Sequence, residues 1–173
     1  MTVTIRPARA EDAEAIANIH NQGIVDRVAT LETALRTPAG TREWLEERSS
    51  RHPVIVAIAH NEPADAPTDV LEVVGWGSLN RFNPRAAYDH VADFSVYVER
   101  AWRGQGIGGR LLKRLVTLAR DAGFHKMVLA ALARNSVGVA LYEKHSFTRV
   151  GIYREMGQLD GKWVDVVLME RIL

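Results

Sequence analysis

The chain has 173 residues, 47% of them apolar and 25% charged, with 22 Lys+Arg against 21 Asp+Glu and no cysteine. A formal charge of +1 gives no bulk-charge argument for nucleic acid, and the apolar content argues against disorder. Without cysteine there is no disulfide framework, no thiolate zinc site and no cysteine nucleophile; apolar runs such as Val54 to Ala59 fall far short of the roughly 20 residues that span a bilayer.

The first strand is read at Val3 to Arg6. Ala13, Ile16, Ala17, His20 and Ile24 then recur at helical spacing, from about Glu11 to Val25. Thr37-Pro38 reads as a helix N-cap followed by proline at the first helical position, and that helix is expected to reach about Ser50 with Trp44 and Leu45 inward. Val54 to Ala59 and Val70 to Leu79 read as strands. Between them Asn61 to Asp69, with two prolines, reads as a long hairpin loop. Asp93 to Val98 alternates as a strand. Ile107, Leu111, Leu112, Leu115, Leu118, Ala119 and Ala122 mark an amphipathic helix, closed by Gly123. Met127 to Leu132 reads as a buried strand and Asn135 to about His145 as a helix. Phe147 to Met156 and Trp163 to Met169 read as strands joined around Asp160-Gly161, a common turn pair. The order β-α-α-β-β-β-α-β-α-β-β fits one domain over residues 1–173. The N-terminus lacks a basic start followed by an apolar core, so no signal peptide and a cytoplasmic location are expected.

Arg103-Gly104-Gln105-Gly106-Ile107-Gly108-Gly109 follows a strand and opens a helix. Glycines let backbone N–H groups converge, and the helix N-terminus adds partial positive charge, which suits phosphate oxygens. The alternative is a tight strand-to-helix turn without a ligand. Gly104, Gly106 and Gly109 also match the dinucleotide fingerprint. That fold needs an acid about 20 residues on, at the end of the next strand; no Asp or Glu occurs between Asp121 and Glu143. No Gly-Lys-Ser/Thr closes the loop, so the Walker pattern fails too.

Arg103-x-x-Gly106-x-Gly108, preceded by Ser95-Val96-Tyr97-Val98, resembles the acetyl-CoA pyrophosphate loop of the GNAT superfamily of N-acetyltransferases. Asn135, then Ala140 to Lys144 and Phe147, resembles the second half of that cofactor site. Within the superfamily the chain is similar to the phosphinothricin, methionine sulfoximine and arsinothricin acetyltransferases. Ile5 to Ala8, Asn21 to Ile24, Ala29 to Thr33, Gly75 to Leu79, Tyr88 to Val98 and Gly161 to Asp165 carry this likeness. Two departures stand out. His145-Ser146-Phe147 replaces the usual Leu-Gly-Phe, placing Ser where glycine takes a left-handed conformation. Asp89 stands where many members have Arg.

The resemblance implies an α/β (α+β) fold, with a mixed, mostly antiparallel sheet and helices on both faces. It implies acetyl-CoA as cosubstrate, no metal, a small amino-acid-like acceptor and a homodimer; no nucleic acid or membrane partner is expected. It also implies that the fourth and fifth strands splay. Main-chain groups of Val96, Tyr97 and Val98 then hold acetyl-pantetheine, with Gly104, Gln105, Gly106, Ile107, Gly108 and Gly109 around the diphosphate. Arg103, Asn135 and Lys144 complete the cofactor contacts. Asp93 is the candidate base, although an ordinary Asp near 3.9 is too acidic to be ideal. His90 is its rival by intrinsic pKa. Tyr142 is the candidate acid for the leaving thiolate, or an aromatic under the sulfur. Glu32, Arg81, Arg85 and Tyr88 are expected to face the acceptor, as are Lys162 and Trp163 from a partner's hairpin. The alternatives are acetylation of a peptide N-terminus or other amine, and a non-catalytic CoA-binding regulator.

Overall fold

The central strands are apolar on both sides, as Val54 to Ala59 show by being buried throughout, and each strand offers one face to either layer of helices. The computed structural model describes residues 2–61 and 70–173, so the expected hairpin loop lies, apart from Asn61, outside the described residues. The elements are β1 (Thr2–Pro7), α1 (Ala13–Val25), α2 (Pro38–Glu46), β2 (Val54–Asn61), β3 (Val70–Arg81), β4 (Val91–Val98), α3 (Ile107–Asp121), β5 (Lys126–Leu132), α4 (Ser136–Lys144), β6 (Thr148–Leu159) and β7 (Lys162–Ile172). They form one seven-stranded sheet in the order β1-β2-β3-β4-β5-β7-β6. All neighbours are antiparallel except β4 and β5.

The two faces of the sheet carry different cores. On one, Leu111, Leu112 and Leu115 of α3 and Val139 of α4 pack with Ile55, Ala57, Ala92 and Phe94. On the other, Ile16 and Ile19 of α1 pack with Val54, Val56 and Trp76. Along β4, therefore, Ala92, Phe94 and Val96 face α3 and α4, and Asp93, Ser95 and Tyr97 face α1. Thr37 caps α2 as its sequence predicts, accepting from Gly40 N at 3.1 Å. That helix ends earlier than its expected Ser50. Arg48 turns back to donate to the carbonyls of His52 and Leu79, and the chain leaves the helix ahead of Pro53. Leu159 pairs with Lys162 across Asp160-Gly161, both with positive φ (51° and 75°), a two-residue hairpin turn. No helix among the described residues is long and apolar enough to cross a membrane.

Candidate active site

The site begins where a pair of strands stops pairing. β4 and β5 share only three rungs, Val91–Lys126, Ala92–Met127 and Asp93–Val128. Beyond them β5 continues beside β7 to Leu132, while β4 follows β3 to Val98. The antiparallel ladder decides which β4 groups are left over. Glu99 N–H donates to Val74, so by alternation Tyr97, Ser95 and Asp93 turn their backbone groups to β3. Phe94, Val96 and Val98 turn theirs into the gap. A cleft of about 250 Å³ occupies it, lined by Asp93 to Tyr97, Leu129 to Leu132, Tyr142, Val166 and the segment Ala29 to Glu32.

Asp93 sits at the last shared rung. Its carboxylate accepts from Phe94 N–H at 2.6 Å, the first β4 amide freed by the splay. Burial pushes its pKa up to about 6, against the opposing effect of that bond, because the charged form loses water. Tyr142, from α4, reaches the cleft across the sheet, against Phe94 and Phe147. Burial, with Tyr97 and Asp93 adding to it, raises its phenol to about 12, so it stays protonated at neutral pH. A carboxyl able to accept a proton near neutrality and a phenol that stays protonated as a hydrogen-bond donor thus flank the gap from opposite faces.

The glycine loop lies at the far end of β4. Gly104 and Gly106 have φ of 79° and 81°, where an added Cβ would meet nothing but the backbone would be strained. Gly106 caps α3 without a side chain. The first-turn N–H groups of Ile107, Gly108 and Gly109 have no acceptor within the helix, a concave row of donors that fits a diphosphate. Gly108 and Gly109 are small for packing: a Cβ would stand 3.3 Å from Leu141 and 3.1 Å from His145, both on the α4 side.

Several expected residues are placed elsewhere. Arg103 is not a free phosphate partner, because its guanidinium is taken by Asp26 at 2.7 Å and the Val98 carbonyl at 3.2 Å. Asn135 caps α4, accepting from Gly138 N at 2.9 Å, and Lys144 is exposed at the other end of that helix. Gln105 donates to the Ala101 carbonyl. His90 is exposed ahead of β4, its ring 6.2 Å from that of His125, outside the cleft. Arg81 folds onto its own loop, donating to the carbonyls of Asn83 and Pro84. Tyr88 packs edge-on against Phe82. Arg85 is exposed, and Lys162 and Trp163 stand exposed at the β6–β7 turn. Of the acceptor candidates only Glu32 lines the cleft.

Sequence reasoning missed His20, Asp26 and Arg36. His20 looked like one more residue of an apolar face; the signal was a titratable side chain at an inward position of α1. Asp26 joins Arg100 at 2.6 Å as well as Arg103, tying the end of α1 to the glycine loop. Arg36 grips Glu32 at 2.9 Å.

Splayed parallel strands, a donor-lined glycine turn and an acid and phenol facing one gap define an acyltransferase site. Residues 21–147 match the acetyltransferase (GNAT) family. The chain belongs to that family of acetyl-CoA-dependent N-acetyltransferases. It is 29% identical to the L-methionine sulfoximine/L-methionine sulfone acetyltransferase of Pseudomonas aeruginosa, over 98% of this chain and 94% of that one. It is 27% identical to the phosphinothricin N-acetyltransferase of Streptomyces coelicolor, over 99% and 96%. A phosphinothricin acetyltransferase from Sinorhizobium meliloti, solved in complex with acetyl-CoA, superposes with a TM-score of 0.87 at 28% identity, over 100% of this chain and 89% of that one.

Proposed function

We propose that this chain, as one domain over residues 1–173, moves acetyl from acetyl-CoA to the α-amine of a small glutamate-like amino-acid analogue. The phosphinothricin, methionine sulfoximine and arsinothricin class is meant, with detoxification as its role. The observation that carries the reading is the splayed cleft with Asp93 on its α1 face and Tyr142 on its α4 face. The names of the relatives support the acceptor class.

Acetyl-CoA supplies an activated thioester when bound. The amides of Val96 and Val98 face the gap and would hold the thioester arm there, and the donors of the Gly104 to Gly109 turn would take the diphosphate. Asp93 removes a proton from the acceptor's ammonium, directly or through water; a base near 6 is far better matched to neutral pH than one near 3.9. Tyr142 donates a hydrogen bond to the departing sulfur, whose conjugate acid lies near 8.5 by analogy with a free thiol, far below the phenol's value of about 12; the proton the thiolate takes up is the second one that the amine nitrogen gives up as the amide forms.

Arg85 is the better of the two arginines for the acceptor's acidic groups, since Arg81 is held by its own loop. The exposed apolar row Val150, Ile152, Tyr153, Met156 and Trp163 on β6 and β7 supports a homodimer through this hairpin, which brings the partner's copy of the turn carrying Lys162 and Trp163 toward the cleft. Light scattering at micromolar concentration is expected to give the dimer mass, and a monomer refutes it.

Free-thiol release is the decisive assay, on a panel of the three analogues, plain amino acids and a short peptide. Turnover is expected on at least one analogue. Turnover on the peptide alone, or release with none of them, overturns the acceptor class.

A further inference from the structure

One polar group under the α1 face of the cleft has no part in the chemistry above. His20 on α1 is 1% exposed, its ring 4.6 Å from Tyr97 of β4 and 5.8 Å from Trp76 of β3. Its Nε2 lies 3.0 Å from Glu32 Oε2. Burying an imidazole among aromatic rings is costly unless its polar atoms are used, and here one is used and one is not: Nδ1 is buried without a partner.

That asymmetry fixes the proton. The Glu32 carboxyl is drawn up by burial, but the bonds and charge of Arg36 and the bond from His20 outweigh this and hold it below its usual range. A carboxylate only accepts, so Nε2 must donate. A second proton on Nδ1 would be a buried N–H with no acceptor. Burial and the Arg36 charge push the imidazole pKa down, outweighing the pull of Glu32. His20 is thus a neutral donor that locates the carboxylate without cancelling its charge.

Glu32 is also gripped by Arg36, Nη2 to Oε1 at 2.9 Å and Nε to Oε2 at 3.3 Å. Asn21, next to His20, places Arg36 in turn: Arg36 N donates to Asn21 Oδ1 at 2.8 Å, and Asn21 Nδ2 to the Arg36 carbonyl at 2.9 Å. Two consecutive residues of α1 therefore set the whole segment. Glu32 keeps 45% of its side-chain surface exposed and lines the cleft on the face that Asp93 and Tyr97 share.

We propose that His20 is a positioning residue for the acceptor, holding the Glu32 carboxylate as the receptor for the substrate's ammonium on the Asp93 side of the cleft. This rests on the amine-acetylation reading above. The titratable and charged groups facing His20 are Glu32 and Arg36 from the segment after α1 and Tyr97 from β4; none supplies a second acceptor for Nδ1.

The test is a mutant cycle with steady-state kinetics for both substrates and calorimetric affinity for acetyl-CoA. His20→Leu, which loses the donor, is expected to raise KM for the amine about tenfold or more, with acetyl-CoA affinity unchanged. His20→Gln, which places an N–H near the same point, recovers most of that loss. Glu32→Gln raises the amine KM at least as far, and adding His20→Leu to it costs nothing more, because the two act as one unit. An additive cycle, or equal loss in the Leu and Gln variants, overturns the proposal. Folding of the Leu variant is not required: 15N shifts of the wild-type His20 ring are expected to show the neutral Nε2–H tautomer at pH 7 to 8, and an Nδ1–H or charged ring there overturns it. Should another amine replace the amino-acid analogues in the panel, the acceptor class fails while the same cycle, run on that amine, still decides the role of His20.

Discussion

Asp93→Asn separates the electrostatic cost of the proposed base from its use. Asn keeps the shape and the oxygen that accepts from Phe94 N–H, and removes only the buried charge. The rise from 3.8 to about 6 corresponds to about 3 kcal/mol at 1.36 kcal/mol per pKa unit. Because the folded-state pKa lies above the unfolded one, the folded state binds the proton more tightly. Stability from this group is present below about pH 4 and lost as pH rises through about 6. The wild type should therefore fall relative to the variant by about 3 kcal/mol across that window and run parallel to it at higher pH. Near pH 8 this is a melting temperature higher in the variant by about 6–12 °C than the pH 4 comparison gives. Subtracting the two curves cancels the buried histidines, which titrate in both proteins. The same variant should lose about 10²–10⁴ in kcat/KM for the amine near neutrality, with the loss shrinking at high pH, where the free amine dominates. Urea titrations at each pH and thiol-release kinetics read both quantities. Parallel stability curves throughout, or an unchanged pH–rate profile, would refute the reasoning and leave a water chain as the base.

Gly106→Asp puts a side chain at φ 81° and a negative charge beside the helix N-terminus; calorimetry should show acetyl-CoA affinity weaker by at least about tenfold. Tyr142→Phe keeps the packing on Phe94 and Phe147 and removes the hydrogen-bond donor, so single-turnover assays should show a rate lower by about 10²-fold at nearly constant acetyl-CoA affinity. Ser146 closes α4 with φ 65°, its N–H bonded to Glu143 O and that of Phe147 to Tyr142 O, a Schellman motif. Ser146→Gly relieves the left-handed strain and should stabilise by about 1 kcal/mol, seen as a higher midpoint in urea with an unchanged slope.

The chain's own pattern carried the element order, because helical and alternating periodicities are local and long segments such as Ile107 to Ala122 repeat them many times. It also carried the glycine turn, since Gly104 and Gly106 stand where a positive φ admits little else, and the strain at Ser146, which follows from a missing glycine. Asp93 and Tyr142 were legible as residue types on the right elements. Their joint presence at one gap came only through the family resemblance, which implied the splay; the point of parting, after three rungs of β4 and β5, is a tertiary event that no residue in either strand announces. The same holds in the other direction. Arg103 looked free beside the glycines and Arg81 in its loop, yet each is drawn to partners that only the fold brings near, Asp26 from the end of α1 for one and the loop's own carbonyls for the other. His20 reads as core in any helical projection. What makes it polar in effect is Glu32, brought onto its Nε2 by a turn of chain whose path is set by contacts to Asn21 and β4, and such long-range pairing leaves no period in the sequence to read.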